Sequence, residues 1–317
     1  MSTKHLLDPE LLPLLEAIPT SVVFNAEMLP AFREQQAAMA VLSDPAPSGV
    51  TRTEVLAPVN DGTEVRCLLY VPDNAPSPRA GYVHIHGGGY IIGTANASDA
   101  NNIALASALG IVVISVDYRL APEHPIPAPL EDCYAALAWL HENAGDLGID
   151  RERVAIGGES AGGGLAAALA ILARDRGDYA VCHQHLTYPM LDNLTGSDEQ
   201  PGDPLVGEFV WTRERNQYGW QAYLGDAPAE APQVPARVAD FADLPPAWIH
   251  TVTLDLFRDE NIAYATGLLR AGVPVELHVW PGGCHAFQMM AESRLAKRFA
   301  SEHQSALALA LGVEASS

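Results

Sequence analysis

Ser160 lies between Gly158-Glu159 and Ala161-Gly162, so the chain reads G-x-S-x-G directly after the β-branched run Arg153-Val154-Ala155-Ile156-Gly157. A strand ending on a serine flanked by glycines is forced into a tight turn before a helix, which lifts the hydroxyl clear of the backbone for attack on a carbonyl. A chain with 26 glycines can carry such a pattern as a plain turn, so the other parts of an acyl-transfer site have to be present as well. These are a base for the serine proton, a carboxylate behind the base, and donors for the oxyanion. The run His86-Gly87-Gly88-Gly89 closes an upstream strand and offers backbone N–H groups with no Cβ in the way. With the N–H of Ala161 at the start of the following helix, Gly88 and Gly89 are the expected oxyanion donors. His86 is expected to brace that loop by a hydrogen bond.

For the base, most of the 11 histidines have a structural or solvated reading. His285 differs: it follows the run Pro274–Trp280 through Pro281-Gly282-Gly283-Cys284, a loop that can swing an imidazole over a sheet. For the carboxylate, Asp255 follows the run Ala247–Thr253. Asp259 is the reserve, with a duller role as a helix N-cap. Asp240 and Asp243 precede that strand and fall at the wrong edge. The order Ser160, Asp255, His285 is that of α/β-hydrolases.

These side chains need a scaffold that brings strand ends together. Strands are expected at 51–57 and 63–71, joined by the hairpin signal Asn60-Asp61-Gly62 and so antiparallel. Strands at 81–86, 111–117 and 154–158 then alternate with helices at 99–109, 129–142 and 160–174. The continuous run Ile111-Val112-Val113-Ile114 indicates strands covered on both faces, as in a parallel sheet wrapped by helices. Later strands are expected at 181–188, 247–253 and 274–280, with helices at 259–270 and 292–311. Two helical patterns, 9–17 and 26–42, precede the first strand. Between Leu191 and Asp243 the alternation lapses around a short helix at 212–224, an excursion of the kind that covers a site.

Composition narrows the function classes. The chain has 317 residues, 48% of them apolar, with no linker or repeat, and reads as one α/β domain. A net charge of −21 disfavours nucleic acid and anionic membrane surfaces as partners. Cys67, Cys133, Cys182 and Cys284 lie far apart, which suggests reduced core thiols and neither zinc nor a redox pair. The N-terminus breaks its apolar run with acids and prolines, unlike a signal peptide, and no stretch has the ~20 apolar residues of a membrane helix. A cytoplasmic location is expected.

Several segments together resemble the hormone-sensitive-lipase family of α/β-hydrolases, which includes bacterial carboxylesterases. They are His86-Gly87-Gly88-Gly89, the run Asp117–Pro125, Gly158-Glu159-Ser160-Ala161-Gly162-Gly163, the run Tyr223–Asp226, Asp255-Leu256-Phe257-Arg258-Asp259-Glu260 and His285-Ala286-Phe287, spread over about residues 45 to 310. The resemblance implies an eight-stranded, mostly parallel sheet with helices on both faces and a helical cap, here about 1–45 with about 190–235. It implies a triad of Ser160, Asp255 and His285 and an oxyanion hole of Gly88, Gly89 and Ala161, supported by His86, Gly87 and Glu159. It also implies a small ester as substrate, acyl chains from acetyl to about hexanoyl, no metal or cofactor, and a monomer or homodimer.

The chain departs from the family pattern at Glu159 (usually Asp), Leu256-Phe257 (usually Pro-Leu) and Ala286 (usually Gly). These departures bear on pocket shape rather than on the reacting groups. Amidase or thioesterase chemistry would use the same residues. A non-catalytic ligand-binding relative, like the plant gibberellin receptors, is the alternative from another class, and those receptors lack the histidine present here as His285. A dinucleotide site on Gly162-Gly163-Gly164 is disfavoured because those glycines fall inside a helix. The aromatic residues Phe24, Phe32, Phe209, Trp211 and Trp220 either line a substrate pocket or pack the cap.

Overall fold

The computed structural model describes residues 2–18, 20 and 24–314. Met1, Pro19 and 21–23, which belong to the expected cap, lie outside the described residues. Eight strands form one sheet in the order β1-β2-β4-β3-β5-β6-β7-β8. They are β1 (Val50–Pro58), β2 (Glu64–Pro72), β3 (Arg79–Ile85), β4 (Val112–Val116), β5 (Ile149–Glu159), β6 (His183–Thr187), β7 (Ala247–Val252) and β8 (Val275–Trp280). The β1–β2 hairpin is antiparallel, as its turn signal requires, and β2 pairs antiparallel with β4. From β4 to β8 every pairing is parallel.

The helices are α1 (Leu12–Ala17), α2 (Leu29–Met39), α3 (Asp99–Leu109), α4 (Ala128–Glu142), α5 (Ala144–Leu147), α6 (Ala161–Arg176), α7 (Arg213–Leu224), α8 (Arg258–Arg270) and α9 (Arg294–Leu311). Helices α4, α6 and α8 bury one face of the sheet, where Val83, Ile85, Ile114 and Ile156 meet Leu130, Leu165, Leu169 and Leu268. On the opposite face Tyr70, Tyr82 and Val113 meet Ile103 of α3 and Leu307 and Leu311 of α9. A third apolar cluster joins the N-terminal Leu7, Leu11 and Leu14 to Phe209, Trp280, Phe287 and Phe299.

The strand order reverses around β3: the chain goes from β3 to β4 on one side and returns to β5 on the other. In open α/β sheets, the crevice at the carboxyl ends of such strands is where ligands bind. Here those ends carry His86 and Ser160.

Two expectations need correction. Strand β5 begins at Ile149, not Val154, because its first half is partly solvent-facing and carries charged residues, which hide it from a search for apolar runs. Asp259 is not the N-cap of α8. That helix starts at Arg258 with Phe257 in the cap position and no side-chain capping bond. Asp259 sits exposed in its first turn, paired with Arg258 at 2.7 Å.

Candidate active site

Ser160 holds φ 57° and ψ −121°, a conformation that costs a non-glycine residue of order 1–3 kcal/mol. It persists because its neighbours over-determine it. The Ser160 N–H donates to Thr187 O at 2.9 Å, and its carbonyl accepts from Gly164 N at 2.9 Å and Met190 N at 3.0 Å. The glycines of the motif serve close approach: a Cβ on either Gly158 or Gly162 would collide with the Ile85 carbonyl of β3. The glycines after Ser160 lie inside α6 and pack against neighbouring backbone, away from any tight turn that could hold a pyrophosphate.

Ser160 Oγ donates to His285 Nε2 at 2.9 Å, and His285 Nδ1–H donates to Asp255 Oδ2 at 2.8 Å. Two loops bring these remote residues together because they are laced to each other. Leu254 N donates to Gly283 O at 3.0 Å and Gly282 N to Thr253 Oγ1 at 3.0 Å. The Asp255 side chain is wholly buried, and its second oxygen accepts from Phe257 N at 2.9 Å, which fixes the carboxylate plane. Asp259, the reserve acid, takes no part. The backbone after His285 turns through Ala286 at φ 60°, the left-handed region that the family's usual glycine adopts without strain.

The loop 86–89 lies beside the serine. The Gly88, Gly89 and Ala161 N–H groups donate to no protein acceptor among the described residues. His86 Nδ1–H donates to Gly87 O at 2.8 Å, and its ring stacks on Tyr118 with centroids 4.2 Å apart. In a planar trans peptide the C=O and the following N–H point in opposite directions, so holding Gly87 O directs the Gly88 N–H the other way. Burial keeps the His86 imidazole below its ordinary pKa and therefore neutral. The brace expected of His86 thus acts within its own motif.

Glu159 faces His84, whose Nε2 lies 3.4 Å from its carboxylate. Burial pushes the Glu159 carboxyl up, but the His84 ring and its hydrogen bond outweigh that and hold it below the usual range. Cys284 adjoins His285, yet burial raises its thiol to about 12, so it stays protonated and inert.

Aromatic rings close the site. Trp211, Tyr188 and Phe257 stand 6.2, 4.6 and 5.3 Å from the His285 ring, and Phe24 packs 6.1 Å from Trp211. Trp220 is packing instead: it lies against Tyr90 and Tyr223 at 5.2 and 5.8 Å. Phe32 packs edge-on against Phe24. Ser160 and His285 are only 6% and 5% exposed, so little space surrounds the hydroxyl. Among the described residues, no group of three or more His, Cys, Asp or Glu side chains could hold a metal ion, and no helix is long and apolar enough to cross a membrane.

The supporting roles of some residues escaped the sequence reading. Tyr118 OH donates to His86 O at 3.0 Å, and Asn261 Nδ2 donates to Pro189 O at 2.6 Å. Glu260, pushed by burial well above the usual carboxylate range, accepts from Leu191 N at 2.6 Å and from the Thr195 hydroxyl, and so tethers the start of the 191–243 excursion. No local pattern marks them, because each acts on a segment far away in the chain.

Comparison with known proteins gives the family. A model of the alpha/beta hydrolase fold family matches residues 82–289. The chain is 38% identical over 220 residues to the esterase LipI of Mycobacterium tuberculosis, covering 68% of each chain. It is 35% identical over 237 residues to an ethyl acetate hydrolase of Pseudomonas putida, covering 73% of each. Among solved structures it is similar to a bacterial heroin esterase, with a TM-score of 0.88, 39% identity, and coverage of 98% of this chain and 99% of that one.

Proposed function

This chain belongs to the hormone-sensitive-lipase-like alpha/beta hydrolases, and from that premise we infer that it is a carboxylesterase that cleaves short-chain esters through an acyl-enzyme on Ser160. The observation that carries this reading is the unbroken hydrogen-bonded series Ser160 Oγ, His285, Asp255 beside three unengaged backbone N–H groups. Relatives named esterase, arylesterase and ethyl acetate hydrolase support the ester as substrate class.

The roles follow from the geometry. Asp255 accepts from Nδ1–H, which leaves the Nε2 lone pair facing the serine proton. As Oγ bonds to the ester carbon, that proton moves to Nε2 and the carbonyl oxygen gains charge opposite the N–H groups of Gly88, Gly89 and Ala161. Collapse breaks the bond to the alcohol oxygen, which takes the proton from Nε2 as it leaves. Water then attacks the acyl-enzyme, gives its proton to Nε2, and Ser160 recovers its hydrogen when the acid departs.

The N-terminal helices and the 190–235 excursion act as the cap, with Trp211 reaching down to the site. Confinement by Trp211 and Tyr188 favours acyl groups of a few carbons. Hydrolysis of a p-nitrophenyl ester series from acetate to decanoate, run beside Ser160→Ala, tests the reading. The expected result is a maximum at short chains and a remnant in Ser160→Ala of about 10³–10⁴ over water. Undiminished turnover in Ser160→Ala rejects it. Trp211→Ala is expected to move the maximum toward longer chains. An unmoved maximum removes Trp211 from the acyl pocket.

A further inference from the structure

We propose that Arg33, on α2 outside the triad and its glycine loop, is a positioning residue that aims the Gly89 N–H at the oxyanion, so that the N-terminal helix sets the power of the oxyanion hole. The proposal rests on the esterase reading above.

The argument follows peptide planes. Arg33 Nε donates to Ile91 O at 2.7 Å. The Ile91–Ile92 peptide is trans, so pulling the Ile91 carbonyl toward Arg33 turns the Ile92 N–H the opposite way. That N–H donates to Gly88 O at 3.0 Å. The Gly88–Gly89 peptide is trans as well, so a captured Gly88 carbonyl turns the Gly89 N–H away from it. Two planes and two hydrogen bonds therefore connect a cap guanidinium to the donor.

The same guanidinium also holds the neighbouring segment. Arg33 Nη2 donates to Ala121 O at 2.6 Å, Ala121 N donates to Tyr90 O at 3.0 Å, and Ile91 N donates to Gly88 O at 3.1 Å. Gly88 O thus accepts from two N–H groups, and Arg33 restrains the segment that supplies each. A neighbouring residue of α2 adds to the clamp: Gln36 Oε1 accepts from Gly93 N at 3.2 Å. Gly88 and Gly89 at φ 128° and 59° have broad conformational freedom, so their direction has to be imposed from outside. His86 does this for the Gly88 N–H from inside the motif, whereas Arg33 does it for Gly89 from the cap.

Arg33 also forms an ion pair with exposed Glu123, with both carboxylate oxygens 2.9 Å from Nη1. This provides an internal control, because Glu123→Gln removes the ion pair and leaves both carbonyl bonds. The experiment measures kcat and KM for p-nitrophenyl acetate, per active site counted by organophosphate titration, for wild type, Arg33→Ala, Arg33→Lys and Glu123→Gln. It adds the inhibition constant of a trifluoromethyl ketone, whose serine adduct carries an oxyanion.

Since removing one donor outright costs about 10²–10³ in kcat, misdirecting one is expected to cost about 10-fold. KM should stay within about twofold, and ketone affinity should weaken by the same factor as kcat/KM. Arg33→Lys should recover part of the loss, and Glu123→Gln should match wild type. An unchanged kcat per titrated site, or an equal loss in Glu123→Gln, overturns the proposal. If Arg33→Ala gives no folded protein, the Arg33→Lys figures are judged by the same criteria. Absence of Ser160-dependent hydrolysis in wild type would defeat the esterase reading itself. A Ser160-dependent wild type with an indifferent Arg33→Ala defeats this proposal alone.

Discussion

Two buried groups of imidazoles in this molecule contrast in what stands behind the ring. At the carboxyl rim of the sheet His285 has a serine hydroxyl on one nitrogen and a buried carboxylate on the other. Beneath α9, His185 and His250 gather with His303 of that helix around Trp248, with no carboxylate hydrogen-bonded to them among the described residues. His185 stacks on Trp248 at 4.3 Å, and His303 meets His185 edge-on at 4.4 Å. His250 has no hydrogen-bond partner on either ring nitrogen among the described residues. Burial lowers His250 to about 3 and His303 to about 4, so these rings stay neutral and behave as aromatic packing. Burial is common to both regions, and the carboxylate behind the ring is what separates them.

The sharpest way to break the comparison is to exchange the losses. His285→Ala should lower kcat by at least about 10⁴ with little change in melting temperature, and Asp255→Asn by about 10³–10⁴. His250→Phe should leave kcat per active site within about threefold. If both histidine variants lose activity equally, the distinction fails. Next in size is Gly89→Ala, whose Cβ would collide with Trp211 and displace an oxyanion donor. A fall in kcat of about 10²–10³ is expected, and stopped-flow acylation rates would check it.

The packed cluster should declare itself in acid. Its rings have folded-state pKa values below the ~6.5 of an unfolded histidine, so from about pH 6.5 downward the unfolded chain binds protons that the fold refuses. Stability is therefore complete above about pH 6.5 and declines toward pH 4. Calorimetry should show a melting temperature falling over that window, less steeply in His250→Phe, whose ring cannot titrate. Parallel curves for the two proteins would contradict the assignment. The smallest expected effect is at the catalytic loop: Ala286→Gly should relieve left-handed strain and change stability by no more than about 1 kcal/mol, with kcat retained. A large loss of activity there would show that the alanine methyl shapes the site.

Much of this architecture was legible beforehand because it depends on local rules. The run 112–116 is fully buried and reads as a parallel strand, and α3 spans the expected residues 99–109. Where solvent-facing charge interrupts the pattern, as at 150–153 of β5, the reading failed. Asp259 misled for a related reason: a helix-start residue type was present, but Asp255 already bonds Phe257 N and settles the approach to α8. Arg33 drew no reading, and the roles of Tyr118 and Glu260, though both stand in segments that carry the resemblance, were not legible, since each bonds backbone groups that have no side-chain signature.

What the sequence alone determined is the inventory and its order: a serine on a glycine-flanked strand end, a carboxylate and a histidine after later strands, and a glycine run able to expose amides. These are matters of covalent geometry and periodicity, which act over a few residues. Direction was decided only in the folded state. Whether the Gly88 and Gly89 amides face a substrate, whether one histidine has a carboxylate behind it while another has only indole and phenyl rings, and how little room Trp211 leaves all depend on groups up to hundreds of residues apart. The orientation of a dipole and the dielectric around a ring are properties of neighbours in space, and those exist only once the sheet has closed.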